Sequence, residues 1–447
     1  MGAAIGGCGL NTVRYANALL NDLGCDAVVK KGESDHPALS WAASGLMEVT
    51  GTAAGPGLMC PVPVASAADG ALYALAALAP AGAVGRLRGA VLLGQRARLM
   101  RLRRAGPVSP GGASYLLQAR DGWLAVTLAR AEDWNCVPAW LQQDNEGTWL
   151  SVARAVRERC AGELVARGRE LGLAVARADA PLKASRWFET QLLGEVVKPR
   201  NRRPVVLDLS TLWAGPLCGA LLARAGAMVI KVESTSRPDG ARFGHGGFFD
   251  FLNGGKASVA LDFKHPDGIS VLRQMVACAD IVIESARPRA LRQLGVSAES
   301  MVAQKPGLTW VSITGHGRRA PMEDWVGFGD DAAAAGGFAH AMHAAHGQMM
   351  FCGDALADPL TGLHAAAAAY ATWRQGGGRL VSLSLSGVAA HCVSSTNGED
   401  LTAQAREWTQ IVQRQEPRLA GLPPKPGPAR PLGADTRSVA AELGVSC

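Results

Sequence analysis

Residues 205–233 read Val-Val-Leu-Asp-Leu-Ser-Thr-Leu-Trp-Ala-Gly-Pro-Leu-Cys-Gly-Ala-Leu-Leu-Ala-Arg-Ala-Gly-Ala-Met-Val-Ile-Lys-Val-Glu. The run 205–210, rich in Val and Leu, is long enough for one buried strand. Ala214-Gly215-Pro216 makes a turn, and Pro216 suits the first position of a helix because its missing N–H is not needed there. Leu217, Ala220, Leu221 and Leu222 recur at helical spacing, and Gly226 ends the helix. Residues 228–232 form a second buried strand, closed by Glu233. Strand, helix and strand in this order predict a right-handed parallel crossover, the seed of a doubly wound sheet.

The obvious reading of such a seed is a dinucleotide fold with Glu233 on a ribose. That fold needs G-x-G-x-x-G in its first turn, so that backbone can approach a pyrophosphate. Here the turn reads Ser210-Thr211-Leu212-Trp213-Ala214-Gly215-Pro216. Gly327-Phe328-Gly329 comes later and opens no such crossover. A nicotinamide or flavin enzyme is disfavoured.

Five further stretches follow the seed: Gly255-Lys256-Ala257-Ser258-Val259-Ala260-Leu261-Asp262-Phe263-Lys264; Asp280-Ile281-Val282-Ile283-Glu284-Ser285-Ala286-Arg287-Pro288; Leu294-Gly295-Val296; Ser312-Ile313-Thr314-Gly315-His316-Gly317; and Ala357-Asp358-Pro359-Leu360-Thr361-Gly362. With the seed, and in this order, they resemble the landmarks of the class III coenzyme A-transferases, the CaiB/BaiF group, over residues 203–395. The resemblance implies an α/β fold with a doubly wound, mostly parallel sheet domain and a smaller α+β domain. Members of that family are interlocked homodimers, with active sites between the large domain of one subunit and the small domain of the other.

The first half of the chain carries an echo of the seed. Residues 18–34 line up with 220 onward, and Pro63-Val64-Ala65-Ser66-Ala67-Ala68-Asp69-Gly70, followed by an Ala/Leu helix to about Leu78, lines up with 355–362. Residues 105–195 have no counterpart later. There, 114–118 and 123–128 read as strands about the turn Asp121-Gly122, and 134–141 and 152–173 read as helices. With a glycine-bearing loop at 107–112, this region resembles the family's smaller domain. Residues 198–204 form a charged, proline-bounded joint. Further strands are expected near 259–261, 281–283, 308–312 and 380–385. A helix should follow residue 396, and then an extended Pro-rich stretch at 422–431. The expected organisation is a truncated first half-copy over 1–198, a Rossmann-like sheet domain with the active site over 199–395, and a wrapping tail over 396–447. The whole would be a fused pseudo-dimer, standing alone as a monomer or pairing again.

The resemblance places a nucleophilic aspartate at Asp358. The bare sequence reads the same residue as a helix cap, with Pro359 at the first helical position and the helix N-terminus keeping the carboxylate ionised. A carboxylate is what acyl transfer from a thioester through a mixed anhydride requires. Gly111 and Gly112 are candidates for a loop that closes the site and offers N–H groups to an oxyanion, or for a simple β-turn. Ser66 stands at the equivalent place in the first half and cannot form the anhydride, so one working site per chain is expected.

Asp331 is a candidate auxiliary carboxylate, and its neighbour Asp330 could push one pKa upward. The racemase branch carries His-Asp there, so Asp330 makes that pattern incomplete. Trp213, Leu261, Lys264, Ser285, Ala286, Arg287 and Arg292 are carried over as coenzyme A contacts. Ser234, Ser285-Ala286 and Gln293 replace residues common in better-known members, and Arg287, Arg289 and Arg292 are close enough to substitute as phosphate donors. His340, His343 and His346 do not share one helical face and read as loop or surface histidines, not a metal site.

Composition agrees with an enzyme of this size. The 447 residues leave room for two or three domains, and 48% hydrophobic content can fill large cores. No long uncharged apolar run occurs, and residues 1–8 lack the pattern of a secretory signal, so no membrane span is expected. The ten cysteines are scattered without a C-x-x-C pair. They read as free thiols in a reducing, cytoplasmic setting. The net charge of +7 suits nucleic acid or any phosphate-bearing ligand. Arg86, Arg88, Arg96, Arg98, Arg101, Arg103 and Arg104 lack interleaved aromatics for base stacking and read as a solvated basic face or, as the alternative, as phosphate contacts. The expected reaction moves coenzyme A from an acyl-CoA donor to a carboxylic acid acceptor, with no tightly bound cofactor and no nucleic-acid partner. The alternatives are a 2-methylacyl-CoA racemase or epimerase and a non-catalytic coenzyme A-binding subunit.

Overall fold

The computed structural model describes residues 11–30, 36–144, 146–180, 186–199, 202–396 and 398–445. The readings placed on residues 1–8, 31–34, Arg200 and Asn201 lie outside them.

Ten strands are described: β1 (Ser114–Ala119), β2 (Gly122–Thr127), β3 (Ala174–Arg177), β4 (Glu189–Leu192), β5 (Val205–Asp208), β6 (Met228–Ser234), β7 (Ala257–Leu261), β8 (Ile281–Glu284), β9 (Thr309–Thr314) and β10 (Arg379–Ser384). Seven form one sheet in the order β4-β10-β9-β8-β5-β6-β7, and β1-β2-β3 form a smaller antiparallel sheet. The seed crossover is present: β5 pairs parallel with β6, Val205 opposite Met228, with the helix Ala214–Arg224 between them. The remaining neighbours in the large sheet are parallel except β4, which runs antiparallel along the edge of β10. The protein is a mixed α/β fold with a mostly parallel sheet.

Several local readings change. The expected helix 134–141 is two pieces, Ala131–Asn135 and Val137–Leu141, because Pro138 has no N–H to continue the ladder. The expected helix 152–173 is also two, Trp149–Arg157 and Ala161–Glu170. At that break the Ala161 N–H donates to the Asp121 carboxylate at 2.6 Å. Strand β3 follows the second piece directly. Strand β4 is exposed along its length, so no apolar alternation announced it. The helix Leu401–Gln415 follows residue 396 as expected, and the Pro-rich stretch forms no helix or strand. A further helix, Thr436–Leu443, then covers the edge strand β7, where Ser258 N–H donates to Asp435 Oδ2 at 2.9 Å and Ala260 N–H to Thr436 Oγ1 at 3.1 Å. The tail thus occupies backbone groups that an open sheet edge would leave for aggregation.

One helix organises the core. Every residue of Ala357–Arg374 from Pro359 to Trp373 is buried, the mark of a helix with no solvent face. It packs on Ala214–Arg224 and on Val64–Leu78. A Cβ at Gly362 would lie 2.7 Å from the Ala214 carbonyl and 3.0 Å from Leu217 Cβ, so glycine sets how closely the helices cross. Gly70, in Val64–Leu78, has the matching contact with the helix Thr12–Asp22: a Cβ there would lie 2.9 Å from the Thr12 carbonyl and 2.9 Å from Tyr15 Cδ1. Tyr15 Oη is hydrogen-bonded to His364 Nε2 at 2.8 Å, and burial pushes the His364 pKa down to about 3, so the imidazole is neutral. Trp187 Nε1–H donates to Asp22 Oδ2 at 3.0 Å. Helices from residues 12–100 therefore share one apolar core with the large sheet, while 115–175 have their own.

Gly362→Ala should destabilise the protein by about 1–3 kcal/mol, because overpacking against backbone outweighs the roughly 1 kcal/mol that alanine gains in an open helix; denaturant unfolding reads this. Separately expressed 1–198 and 199–447 should each be insoluble or inert and regain activity when co-expressed. Full activity from 199–447 alone would contradict the shared core.

Candidate active site

In open α/β sheets ligands bind beyond the carboxyl ends of the strands, where the strand order reverses. Here the chain runs from β5 outward to β6 and β7, then returns to β8 on the other side of β5. The crevice therefore lies between the ends of β5 and β8, and Thr211 N–H donates to Ser285 Oγ across it at 3.0 Å. Buried charges shape the turn after β5. Lys256 Nζ reaches Asp208 Oδ2 at 2.7 Å, Ser210 Oγ–H donates to Asp208 Oδ1, and Lys231 Nζ holds the Ser210 carbonyl at 2.9 Å and Asp239 at 2.9 Å. Glu233 is paired with Arg242 at 2.5 Å and is not open to a ribose. Trp213 closes the turn, 5% exposed, edge-on to Phe248.

Behind this turn stand four aspartates. The Ala357–Arg374 helix starts two residues earlier than the sequence suggested, so Asp358 lies inside its first turn and makes no side-chain cap. Its N–H donates to the Ala355 carbonyl at 3.0 Å, and Ala355 holds a left-handed φ of 44°. Such strain in a residue with a Cβ persists only where its surroundings enforce it. The Ala355 N–H is fastened to Asp330 Oδ1 at 2.7 Å, and Ser114 Oγ–H reaches Asp330 Oδ2 at 3.1 Å. Asp331 is fully buried, its Oδ1 accepting from Phe328 N–H (2.9 Å) and Thr127 Oγ1–H (3.1 Å). Asp354 is fully buried against Arg96, whose Nη1 lies 2.7 and 2.8 Å from its two oxygens.

The helix N-terminus does not keep Asp358 readily ionised. Burial pushes its carboxyl up to about 7, Arg96 opposes the rise, and Asp330, Asp331 and Asp354 add to it. Asp330 is also pushed up to about 7, by burial and then by Asp354, so its raising neighbour is not the adjacent Asp331. Asp354 is raised by burial and held back by Arg96.

Arg96 comes from the helix Gly89–Met100, and its guanidinium carbon lies 5.7 Å from the Trp213 ring centroid. The arginine run is thus not simply a solvated face. Arg98 donates to the Ala420 carbonyl at 2.7 Å and Arg104 to the Gly55 carbonyl at 2.7 Å. Gly111 sits over the Arg96–Asp354 pair, where a Cβ would lie 3.5 Å from Arg96 Nη2 and 3.8 Å from Asp354 Oδ1. Gly112 (φ 79°) uses its N–H in a turn to the Ser109 carbonyl at 2.8 Å, so it is not open to an oxyanion.

An open cleft of about 840 Å³ lies between the small sheet's helices and the loops after β8 and β9, lined in part by Arg130, Arg169, Arg287, Arg289, Asp324 and Trp325. Arg287 has no carboxylate partner among the described residues. Burial, then the nearby cations Arg289 and Arg130, lower its pKa, which marks a locally positive wall. Ala286 is at the same edge, partly buried. Arg292 is instead engaged by Glu323 at 3.0 Å and Glu299 at 3.4 Å. Leu261, the last residue of β7, packs in the core, and Lys264 is exposed just beyond it, two strands from the crevice. His340, His343 and His346 lie on the helix Phe338–His346, not in a loop, and His346 Nε2 meets the Met59 carbonyl at 2.7 Å.

Sequence reasoning missed Asp354 and Arg96. Asp354 precedes Asp358 by one helical turn's worth of chain, but the bend at Ala355 hides that proximity. Nothing local separates Arg96 from its six neighbours.

A family model described as CoA-transferase family III matches residues 204–422. Over this segment the chain is similar to CoA-transferase family III. Succinate–glutarate CoA-transferase of Agrobacterium fabrum is 32% identical over 219 residues, 44% of this chain and 55% of that protein. Succinyl-CoA–D-citramalate CoA-transferase of Chloroflexus aurantiacus is 33% identical over 218 residues, 46% of this chain and 54% of that one. A crystal structure of a CaiB/BaiF family protein from Brucella suis is 26% identical, with a TM-score of 0.39, over 49% of this chain and 60% of that chain. The chain thus spans about half the length of the curated relatives it matches. The family segment contains Asp330, Asp331, Asp354 and Asp358, whereas Arg96, Gly111 and Ser114 lie before it.

Arg96→Met should cost about 3 kcal/mol or more, since it leaves Asp354 buried and unpaired; adding Asp354→Leu should recover much of the loss. Because Asp330 binds a proton more tightly folded than unfolded, it lowers stability as pH rises from about 4 to about 7 and no further above that. Asp330→Asn should therefore raise the melting temperature over wild type at pH 8 and lose that advantage near pH 4, as calorimetry at both values would show.

Proposed function

We propose that the chain is a CoA-transferase, with Asp358 as the acyl-accepting nucleophile. The observation that carries this reading is the place of Asp358 in the family segment, among three other carboxylates and one arginine beside the crevice. The ionised carboxylate would attack the thioester carbonyl: an Asp358 O–C bond forms, the C–S bond breaks, and the electron pair leaves on sulfur. The mixed anhydride is about as activated as the thioester, so little free energy is lost. Thiolate then attacks the aspartyl carbonyl and expels the donor acid as a carboxylate. The acceptor carboxylate runs both steps in reverse and leaves as its CoA thioester. Arg96 would keep enough of Asp358 ionised to react, and the loop at Gly111 would exclude water, which hydrolyses anhydrides. The cleft wall at Arg287 would take the phosphates of coenzyme A, with Trp213, Ser285 and Ala286 nearer the thioester.

The first half would then be a pared-down copy of the second that completes the second half's site. Arg96, Gly111, Ser114 and Thr127 all reach the aspartates from residues before 198. The matching helix contacts at Gly70 and Gly362 support this reading. Ser66 is fully buried without a hydrogen-bond partner, in keeping with one working site per chain.

Intact mass after incubation with a panel of acyl-CoAs tests the reading. An acyl adduct that hydroxylamine discharges and Asp358→Ala cannot form is expected, with turnover in that variant down at least about 10³-fold. Below pH 7 the log of kcat/KM should fall by about one unit per pH unit, as the Asp358 carboxyl, at about 7, takes up its proton. An adduct that persists in Asp358→Ala would exclude this nucleophile.

A further inference from the structure

Two buried polar atoms beside Asp358 have no partner. His316, just beyond β9, is 8% exposed, and Asp331 is fully buried; His316 Nε2 and Asp331 Oδ2 each lack a hydrogen bond. They lie 3.7 Å apart, too far for a direct hydrogen bond. Orphaned buried groups of this kind are rare and costly, so each one asks for an explanation. Asp331 Oδ1 already accepts two hydrogen bonds, and these hold the carboxylate so that Oδ2 is the open oxygen. The His316 ring stands edge-on to Trp325, with centroids 6.1 Å apart, and the Arg169 guanidinium carbon lies 3.6 Å from the same ring's centroid. Arg169 Nε is a third buried atom without a partner, and Arg169 and Trp325 both line the large cleft. The orphaned pair therefore lies behind the wall of that cleft.

The segment Gly327-Phe328-Gly329 joins this pair to the reaction centre. A Cβ on Gly327 would lie 2.9 Å from His316 Nε2, and one on Gly329 would collide with Asp358 Oδ2. The backbone at Phe328 is extended, so the two glycines are about 7 Å apart. The glycines leave open the flank of each functional group, on one short stretch of chain.

With the imidazole proton on Nε2, an occupant of the gap accepts from that N–H and donates to the carboxylate oxygen. A second carboxylate cannot, because it only accepts. A hydroxyl can do both. We propose that His316 and Asp331 bind a hydroxyl group on the acid being transferred, so that the substrate is a hydroxycarboxylic acid. This rests on the reading of Asp358 as the acyl acceptor. A site built around a substrate hydroxyl rejects the analogue lacking it strongly, because the buried pair is then left unsatisfied.

The test compares matched acids: malate with succinate, 2-hydroxyglutarate with glutarate, 3-hydroxybutyrate with butyrate, and lactate with propionate, both enantiomers of each hydroxy acid included. All reactions use the same acyl-CoA donor, so coenzyme A's own hydroxyls are common to both members of a pair. At least one hydroxy acid should exceed its partner by about 10²-fold or more in kcat/KM. That ratio should collapse to within a few-fold in His316→Phe, which keeps a ring against Trp325, and in Asp331→Asn, which turns the acceptor into a donor. Shifts in melting temperature with the same acids, without any CoA donor, read binding apart from turnover. A selective shift that both variants lose, without an Asp358 adduct, would uphold the hydroxyl site and reject the transferase reading. An Asp358 adduct with no acid pair differing by more than about 3-fold would leave that reading intact and overturn the hydroxyl site, with water as the occupant.

Discussion

The close crossing of the Ala357–Arg374 helix over its neighbours is the constraint on which the rest of the molecule depends. A helix buried from Pro359 to Trp373 must satisfy packing on every side at once. It does so with small residues: the run Ala365–Ala369 is fully buried, and Gly362 lets Ala214–Arg224 approach to backbone contact. That approach places the turn at Trp213 beside the first turn of the central helix, where Asp358 stands. The same helix packs on Val64–Leu78, so the first hundred residues belong to the core of the sheet. Tyr15 and His364 fix that docking with a hydrogen bond that is satisfied only when the helices are correctly in register.

The crossing gathers more negative charge than positive. Asp330, Asp331, Asp354 and Asp358 converge, and Arg96 is the cation that draws both Asp354 and Asp358 back toward ionisation. Removing carboxylates from water favours their protonated form, and their mutual repulsion adds to this. The outcome is two carboxyls near 7, not a cluster fully ionised at neutral pH. A carboxyl near 7 is only partly ionised at neutral pH. The excess of negative charge also explains why the loop at Gly111 and the arginine helix come from so far away in the chain: the compensating charge must be delivered where the sheet and its helices leave a gap.

Much of this was legible before any coordinates. The residues 205–233 pattern announced the crossover because a buried parallel strand must be apolar on both faces, and the intervening helix repeats at its own period. The failed dinucleotide turn was legible for a similar reason, since pyrophosphate contact requires glycine at given positions. Short or exposed pieces escaped. Strands β3 and β4 have only four residues each, and β4 shows no apolar alternation. The helix 152–173 was read through a break at which the Ala161 N–H is held by the Asp121 carboxylate, forty residues upstream.

What the sequence alone determined was the set of local preferences: which segments are strands, where helices start, and which aspartates stand in motifs. Asp358, Asp331 and the turn at Trp213 belong to that set, because short-range patterns carry them. Tertiary structure decided the partners. Arg96 was one of seven similar arginines until folding placed it on Asp354, and His316 was one letter in a strand-end motif until it met Asp331. Charge pairing and desolvation depend on distances between residues on different elements of the fold, and no local pattern encodes those distances. For the same reason Asp358, which the sequence read as an ionised helix cap, became a carboxyl with a pKa of about 7.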